Sequence, residues 1–194
     1  MAALFGLSPW TTNAYPAVPG EANRCWNCEV IVLRLRSPGT IQPIFGNEDA
    51  AELHQAIADE GIVRNLARAP WPYAADDAVD FATQAHDALY PNFLIMLRTH
   101  GAPRIIGACG IGNYDGNAEL GYWIARPYWG LGFATEASRA VLHIAKTIGH
   151  AKLIASHFTD NPASGNVLRK LGFQNTGETA KSNGRGEAMT CALY

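Results

Sequence analysis

Apolar residues recur along the chain with two different periods, and the changes of period predict where strands give way to helices. In "VIVLRLRS" (residues 30–37) leucines alternate with arginines, which is the pattern of a half-buried strand. Apolar residues spaced three and four apart follow in residues 47–59 and 76–89, and they predict two helices. The apolar face of the second helix is predicted to run from Ala78 through Ala85 to Leu89.

Three strand-like runs follow in the middle of the chain, "NFLIML", "RIIGACGIG" and "AELGYWIA". The segments between them, "RTHGAP" and "NYDGN", are short and rich in turn-forming residues, so they predict an antiparallel meander. The stretch "ARPYWGLGFATEASRA" then opens a third helix, which is predicted to end at Gly149. A buried strand, "KLIASHF", is predicted after it.

The last part of the chain predicts a short helix and a hairpin. In "NPASGNVLRKLG" Asn161 suits the helix cap, Pro162 the first helical position and Gly172 the end. The runs "FQNTGE" and "GEAMTCALY" predict a hairpin around Ser182-Asn183-Gly184. The whole order, β-α-α-β-β-β-α-β-α-β-β, predicts a mixed, mostly antiparallel sheet of about seven strands flanked by four helices, an α/β (α+β) fold.

The chain has 194 residues, which suits one domain with a core of its own. Residues 1–27 are rich in Pro, Asn, Thr and Ala and show no periodicity, so they predict an irregular N-terminal arm. Residues 28–194 contain neither an internal repeat nor a linker-like segment. We therefore expect a single domain over residues 28–194.

The charge and the cysteine content argue against several classes of partner and against a metal site. With 15 basic and 17 acidic residues the net charge is −2, and no basic stripe indicates a nucleic acid or an anionic membrane as partner. The apolar runs are too short to span a bilayer, and the N-terminus does not resemble a signal peptide. Cys25 and Cys28 form a lone CxxC without a second ligand pair, so we expect no metal site and unpaired cysteines in the cytoplasm.

The passage from strand to helix through "WGLGFAT" (Trp129–Thr135) is typical of an anion site. The first amides of a helix have no internal acceptor, and the helix dipole adds positive potential there. Glycines let phosphate oxygens approach these amides, so binding needs no lysine. A tight turn with close strand–helix packing remains an open alternative. No Gly-Lys-Ser/Thr follows, and the dinucleotide pattern of three glycines is incomplete.

Two motifs together, "AELGYWIARPYWGLGFATEA" and "DNPASGNVLRKLGF", resemble the GCN5-related N-acetyltransferase (GNAT) superfamily, in its RimJ/RimL-like branch. The resemblance covers residues from about 30 to 194. The superfamily's pyrophosphate loop reads Gln/Arg-x-x-Gly-x-Gly/Ala. Trp129 stands at the first position of this motif, Gly132 at the fourth and Ala134 at the sixth. A tryptophan at the first position departs from the general pattern but is similar to the loops of this branch, which often begin with "WG".

The resemblance implies a GNAT fold and acetyl-CoA as co-substrate, with no metal. The pyrophosphate would be held by main-chain amides of the loop and of the first helical turn: Gly130, Leu131, Gly132, Phe133, Ala134 and Thr135. The main chain of Trp123 and Ile124 would pair with the pantetheine arm, and Asn161 would contact the same arm. The branch also implies a homodimer.

Acetyl transfer needs a deprotonated amine, a donor for the oxyanion, and a proton or a donor for the leaving thiolate. In many family members a tyrosine of the last helix serves the thiolate, and its place here is Leu168. The resembled branch uses a serine from Asn-x-x-Ser instead, and the match is Ser164. The alternative for Ser164 is a helix-start serine that bonds local backbone.

Glu119 is the candidate base, because several superfamily members use a strand glutamate at this place. By period two it shares one face of its strand with Gly121 and Trp123. A salt-bridged structural glutamate is the open alternative. His157 is the second candidate, for which a structural histidine is the competing interpretation. In the final hairpin, where some enzymes of this branch carry the base, only Glu178 is available, and it is out of step with that pattern.

The acceptor is expected to bind to the first half of the chain, where Trp71 and Tyr73 either wall a pocket or form a hydrophobic plug. The leading functional hypothesis is transfer of an acetyl group from acetyl-CoA to a primary amine by direct attack in a ternary complex. The amine is a protein N-terminus or a small molecule. Two alternatives remain open, a non-catalytic CoA-binding module and an acyltransferase that uses another donor such as succinyl-CoA.

Overall fold

The computed structural model describes residues 31–35, 47–84, 87–99, 102–182 and 186–194. The predicted arm at residues 1–27, the domain boundary at residue 28, and Cys25 and Cys28 lie outside these ranges. Within them Cys109 and Cys191 are free and buried. None of the helices in the described ranges is long and apolar enough to cross a bilayer.

One mixed sheet forms the centre of the molecule. Its strands are β1 (Ile31–Leu35), β2 (Asn92–Leu97), β3 (Arg104–Tyr114), β4 (Asn117–Ile124), β5 (Leu153–Phe158), β6 (Gln174–Ser182) and β7 (Gly186–Leu193). They are arranged in the order β1-β2-β3-β4-β5-β7-β6, and all neighbours are antiparallel except β4 and β5. The meander forms because Asp115 and Gly116, with φ of 47° and 79°, close a tight hairpin turn between β3 and β4. The predicted mixed α/β fold is therefore confirmed.

The helices are α1 (Asn47–Ile57), α2 (Glu60–Val63), α3 (Ala75–Thr83), α4 (Phe133–Thr147) and α5 (Pro162–Lys170). The prediction of one helix over residues 47–59 is wrong at its end. Asp59 adopts an extended conformation and its carboxylate accepts a hydrogen bond from the amide of Gly61 (2.7 Å), so it caps a separate short helix, α2.

The prediction that the next helix extends to Leu89 is also wrong, because α3 ends at Thr83. The carboxylate of Asp87 accepts a hydrogen bond from the amide of Leu89 (2.9 Å), and this local bond competes with helix formation. Leu89 is 52% exposed and does not belong to an apolar helix face. Ala85 lies outside the described residues.

Two hydrophobic cores lie on opposite faces of the sheet, and β4 contributes to both. Leu120 and Ile124 pack with Val141 of α4 and Leu168 of α5 on one face. Trp123 packs on the other face with the core of α1, α2 and α3. This follows from the alternation of side chains along a strand. Residues 119, 121 and 123 therefore share the face of α1–α3, whereas residues 120, 122 and 124 share the face of α4 and α5.

Candidate active site

A gap opens in the sheet between β4 and β5. Within these described strands Glu119 pairs with Ile154, and no residue pair follows towards the carboxyl ends. The two parallel strands therefore diverge in that direction. A cavity of about 630 Å³ lies in this gap. The start of α4 and of α5 closes it on one side, and α2 with the residues after it closes it on the other. The gap exposes backbone that would otherwise be paired in the sheet.

The polar groups of Ile124 face this gap. The amide of Ala125 donates to the carbonyl of Ile106 (2.8 Å), which makes these two residues a hydrogen-bonded pair of the antiparallel ladder. Because such pairs alternate, the amide and carbonyl of Ile124 point away from β3 and those of Trp123 point towards it. A Cβ on Gly107 of β3 would overlap the Trp123 carbonyl oxygen, which agrees with that direction. Of the two predicted pantetheine contacts, only Ile124 presents its backbone to the gap.

Two glycines determine the backbone conformation of the loop. Gly130 and Gly132 adopt φ of 76° and 92°, which other residues rarely tolerate. Gly132 precedes α4, whose first turn holds Phe133, Ala134 and Thr135. The amide of Glu136 donates to the Gly132 carbonyl (3.1 Å), so the amides before it belong to the turn that has no intrahelical acceptor.

The cavity brings together every predicted cofactor-binding residue except Leu131. The lining residues that the sequence predicted are Trp123, Ile124, Trp129, Gly130, Gly132, Phe133, Ala134, Thr135, Asn161 and Ser164. Leu131 lies in the same loop with an exposed side chain.

Trp129 connects the loop to the end of β4. Its indole N–H donates to the Ile124 carbonyl (2.6 Å), and the guanidinium of Arg126 lies over its ring, 4.9 Å from the ring centre. Arg126 in turn binds both carboxylate oxygens of Asp59 (2.6 and 2.7 Å), and these hydrogen bonds hold the pKa of Asp59 below its ordinary value. Sequence reasoning missed this contact, which anchors α2 beside the cavity.

Three basic side chains lie in the cavity wall: Arg64, Arg126 and Lys170. Arg64 forms an ion pair with Asp160, and Arg126 with Asp59. Lys170 belongs to the last turn of α5. Because each arginine is paired with a carboxylate and Asp160 itself lines the cavity, Lys170 is the one of these three that adds unpaired positive charge to the described part of the wall.

Asn161 and Ser164 are adjacent at the start of α5. The side-chain oxygen of Asn161 accepts a hydrogen bond from the Ser164 amide (3.2 Å), as the predicted cap requires. The hydroxyl of Ser164 lies 2.7 Å from the phenolic oxygen of Tyr122, which is also 3.1 Å from the Ser164 carbonyl. Burial raises the pKa of Tyr122 to about 12.

Tyr122 was missed from the sequence. The available signal was a tyrosine in "GYWI" at a core-facing strand position, since a buried phenol normally has a hydrogen-bond partner. Leu168, at the place of the family's usual tyrosine, is 1% exposed and packs in the core.

Glu119 lies on the opposite face of β4 from Tyr122 and does not line the cavity. Its carboxylate accepts a hydrogen bond from Arg68 (3.1 Å), and the Arg68 guanidinium lies over the Tyr114 ring at 5.7 Å. A Cβ on Gly121 would meet no heavy atom within 4 Å, so the surface beside Glu119 is open. The glutamate is thus ion-paired, and it lies beside open surface on the α1–α3 face.

The remaining candidates lie outside the cavity. Nδ1 of His157 is 2.9 Å from the Phe158 carbonyl, and the His157 ring packs closely against Gly165. Tyr73 is buried under α1 and α3, and its hydroxyl donates to the Asp77 carbonyl (3.2 Å). Burial raises the pKa of Tyr73 to about 12. Trp71 is 50% exposed. These contacts favour the plug interpretation of Tyr73 over a wall of this cavity.

Among the described residues, no three His, Cys, Asp or Glu side chains form a group suited to a metal ion.

Comparisons with known proteins agree with this geometry. Residues 40–174 match the family described as "Acetyltransferase (GNAT) domain", which is more than half of the chain. The chain therefore belongs to the GNAT acetyltransferase family.

A curated relative is an uncharacterized N-acetyltransferase of Bacillus subtilis (strain 168), YoaA, which is 43% identical over 61 residues. The match covers 31% of this chain and 34% of YoaA, so the chain spans about a third of that relative. Among solved structures, an acetyltransferase (GNAT family) from Bacillus anthracis is similar with a TM-score of 0.67 and 19% identity, covering 84% of this chain and 93% of that one.

A spermidine N-acetyltransferase from Vibrio cholerae, solved in complex with CoA and spermine, has a TM-score of 0.63 and 18% identity. The match covers 84% of this chain and 94% of that one. At 19% and 18% identity, the similarity to these two structures shows only that this chain has the same fold.

Proposed function

We propose that the chain is an acetyl-CoA-dependent N-acetyltransferase that transfers an acetyl group to a primary amine by direct attack in a ternary complex. The observation that carries the proposal is the gap between β4 and β5. One cavity there joins the backbone of Ile124 that points away from β3, the loop from Gly130 to Gly132, and the hydroxyl of Ser164. An extended thioester cofactor with a pyrophosphate requires these three features together.

In this proposal the pyrophosphate binds to the amides of the glycine loop and of the first turn of α4. The dipole of α4, a helix of 15 residues, favours the anion at that end. The pantetheine arm runs along β4 and pairs with Ile124 as an added strand would. The Trp129 indole shares or releases the Ile124 carbonyl when the arm binds. Asn161 contacts the arm from the start of α5.

The two catalytic candidates then act from opposite faces of β4. The thioester lies in the gap, with Ser164 beside the sulfur, where its hydroxyl stabilises the departing thiolate. The amine approaches over Gly121, and Glu119 accepts its proton. Tyr122 is three residues beyond Glu119, about 10 Å along the strand, so a water between Glu119 and the amine is part of the proposal.

The acceptor is a protein N-terminus or a small amine, and the RimJ/RimL-like branch, which we retain as a proposal, favours the former. The Vibrio cholerae structure contains spermine, a small amine. Trp71 is retained as a contact for the acceptor because its ring is exposed. Tyr73 supports the loop from beneath.

Thiol release tests the function directly. Acetyl-CoA and succinyl-CoA are each mixed with peptides that have free N-termini and, separately, with polyamines, amino acids and aminoglycosides. We expect thiol release from acetyl-CoA with at least one class of amine. Tight CoA binding without thiol release from any pair would favour a non-catalytic module. Thiol release from succinyl-CoA alone would show that the acyl donor is succinyl-CoA and not acetyl-CoA.

Glu119→Gln is expected to lower kcat by about 10- to 100-fold at neutral pH, as for loss of a general base. The deficit is expected to shrink as pH rises, because the amine then loses its proton unaided. A pH–rate profile of the variant against the wild type measures this. The matched control is Glu187→Gln on β7, whose side chain is exposed. Full activity of Glu119→Gln at neutral pH would reject Glu119 and leave His157 or solvent as the proton acceptor.

We also propose that the protein is a homodimer, as the branch resemblance implies. Light scattering at micromolar concentration is expected to give twice the 20.9 kDa mass of the chain. A monomer mass under these conditions would refute the dimer and leave the site assignments unchanged.

A further inference from the structure

Tyr122 contributes a buried hydroxyl that the proposed reaction does not yet use. The residue lies on β4, and its ring packs against the core on the face of α4 and α5. Its phenolic oxygen reaches across the gap to Ser164 of α5, 42 residues away in sequence, and it also lines the cavity. The contact therefore lies where the sulfur of the cofactor is proposed to bind.

The protons of this contact allow two arrangements. The phenol has one proton, and the Ser164 carbonyl can only accept. In the first arrangement Tyr122 donates to that carbonyl (3.1 Å) and the serine hydroxyl donates to Tyr122 (2.7 Å). In the second, Tyr122 donates to the serine oxygen, and the serine proton is free to point into the cavity. The shorter distance is common to both, so the exchange needs only rotation of two hydroxyl groups.

We propose that Tyr122 is a positioning residue for the transfer reaction: it holds the Ser164 oxygen and donates to it, so that the serine proton points at the leaving sulfur. The inference rests on the proposed function. The amine nitrogen bonds to the thioester carbon, the carbon–sulfur bond breaks, and sulfur keeps the electron pair. The amine proton goes to Glu119 and then to solvent, which later protonates the thiolate. Ser164 and Tyr122 only donate hydrogen bonds and keep their protons throughout.

The geometry gives Tyr122 a fixed position from which to do this. The ring is packed in the core, so the phenol loses little freedom when it binds the serine. Because burial raises its pKa to about 12, the phenol remains a donor throughout the neutral range. A tyrosine that only tethered α5 to β4 would affect folding and cofactor affinity instead of the state of the thiolate.

Tyr122→Phe is expected to lower kcat by about 5- to 50-fold and to change the KM for acetyl-CoA by less than about 2-fold. The loss is smaller than for removal of the serine hydroxyl, because that donor remains and only its direction is lost. The same substitution in a Ser164→Ala background is expected to have no further effect on kcat. Tyr90→Phe, at a partly buried tyrosine packed against the same core, is the matched control and is expected to keep full activity.

A second readout does not depend on the acceptor. The thiol of bound CoA is titrated by its ultraviolet thiolate absorbance, with free CoA titrated under the same conditions as the reference. We expect the wild type to lower the pKa of the bound thiol, and both Ser164→Ala and Tyr122→Phe to return it towards the free value. An unchanged titration in Tyr122→Phe, or losses that multiply in the double variant, would overturn the positioning role. A wild type that turns over no amine would instead refute the proposed function, while the titration still tests Tyr122.

Discussion

Gly132→Val is expected to weaken CoA binding by at least about 100-fold. In this structure a Cβ at Gly132 meets no protein atom within 4 Å. The free space in front of it is the proposed place of the pyrophosphate, and a branched side chain would fill it. Loss of two charge-assisted hydrogen bonds, each about 1.5–3 kcal/mol, corresponds to this change in affinity. Isothermal titration with CoA measures it.

Backbone strain is separated from blocking of the ligand by a matched control. Gly132 has φ of 92°, so valine there is strained regardless of the ligand. Gly116, in the hairpin turn between β3 and β4, has φ of 79° and equally open surroundings. Gly116→Val is expected to lose comparable stability and to retain CoA affinity. Unchanged affinity in a folded Gly132→Val protein would contradict the assignment of the loop.

Ser164→Ala is expected to lower kcat by about 10- to 1,000-fold, the range for loss of one positioned donor or acid. CoA affinity is expected to change little, because the loop amides and the Asn161 cap, which binds the Ser164 backbone, remain. Steady-state kinetics with acetyl-CoA and the best acceptor of the panel measure the change. Raising the pH is not expected to restore the rate, since the missing hydroxyl has no substitute in solution.

The control for Ser164 is Ser156→Ala, a serine at an exposed position of β5. It is expected to keep the wild-type rate. The absence of rescue at high pH distinguishes Ser164→Ala from Glu119→Gln, so one profile for each variant separates the thiolate donor from the base. Full activity in Ser164→Ala would leave the serine as a helix-start residue and would remove the basis for the role of Tyr122.

Features encoded within a few residues were predictable. The cap of α5 by Asn161 was predicted because it depends on a local hydrogen bond, and the glycines at 130 and 132 marked the loop in which the structure then showed left-handed φ values. Period two correctly placed Glu119 and Trp123 on one face of β4. Patterns of this kind predicted the order of strands and long helices.

The two wrong helix ends lie where a distant or a competing local contact overrides the helical pattern of apolar residues. The helical pattern ran through Asp59, but its carboxylate caps α2 and binds Arg126, 67 residues away. The pattern also ran on to Leu89, where a turn closed by Asp87 takes its place. The spacing of apolar residues predicts neither the contacts of Asp59 nor the turn at Asp87, because these do not depend on the hydrophobicity of the neighbouring residues.

The sequence alone determined the two motifs of this site and the backbone that each requires, because glycine conformation and helix capping depend on adjacent residues. Only the tertiary structure decided that Ile124 and not Trp123 presents its backbone to the gap, since that depends on which groups β3 already binds. It likewise decided that Tyr122 meets Ser164 while Glu119 pairs with Arg68 on the opposite face. These pairings arise because β4 lies beside β5 and then separates from it, and a chain read in order carries no direct signal of which strands become neighbours.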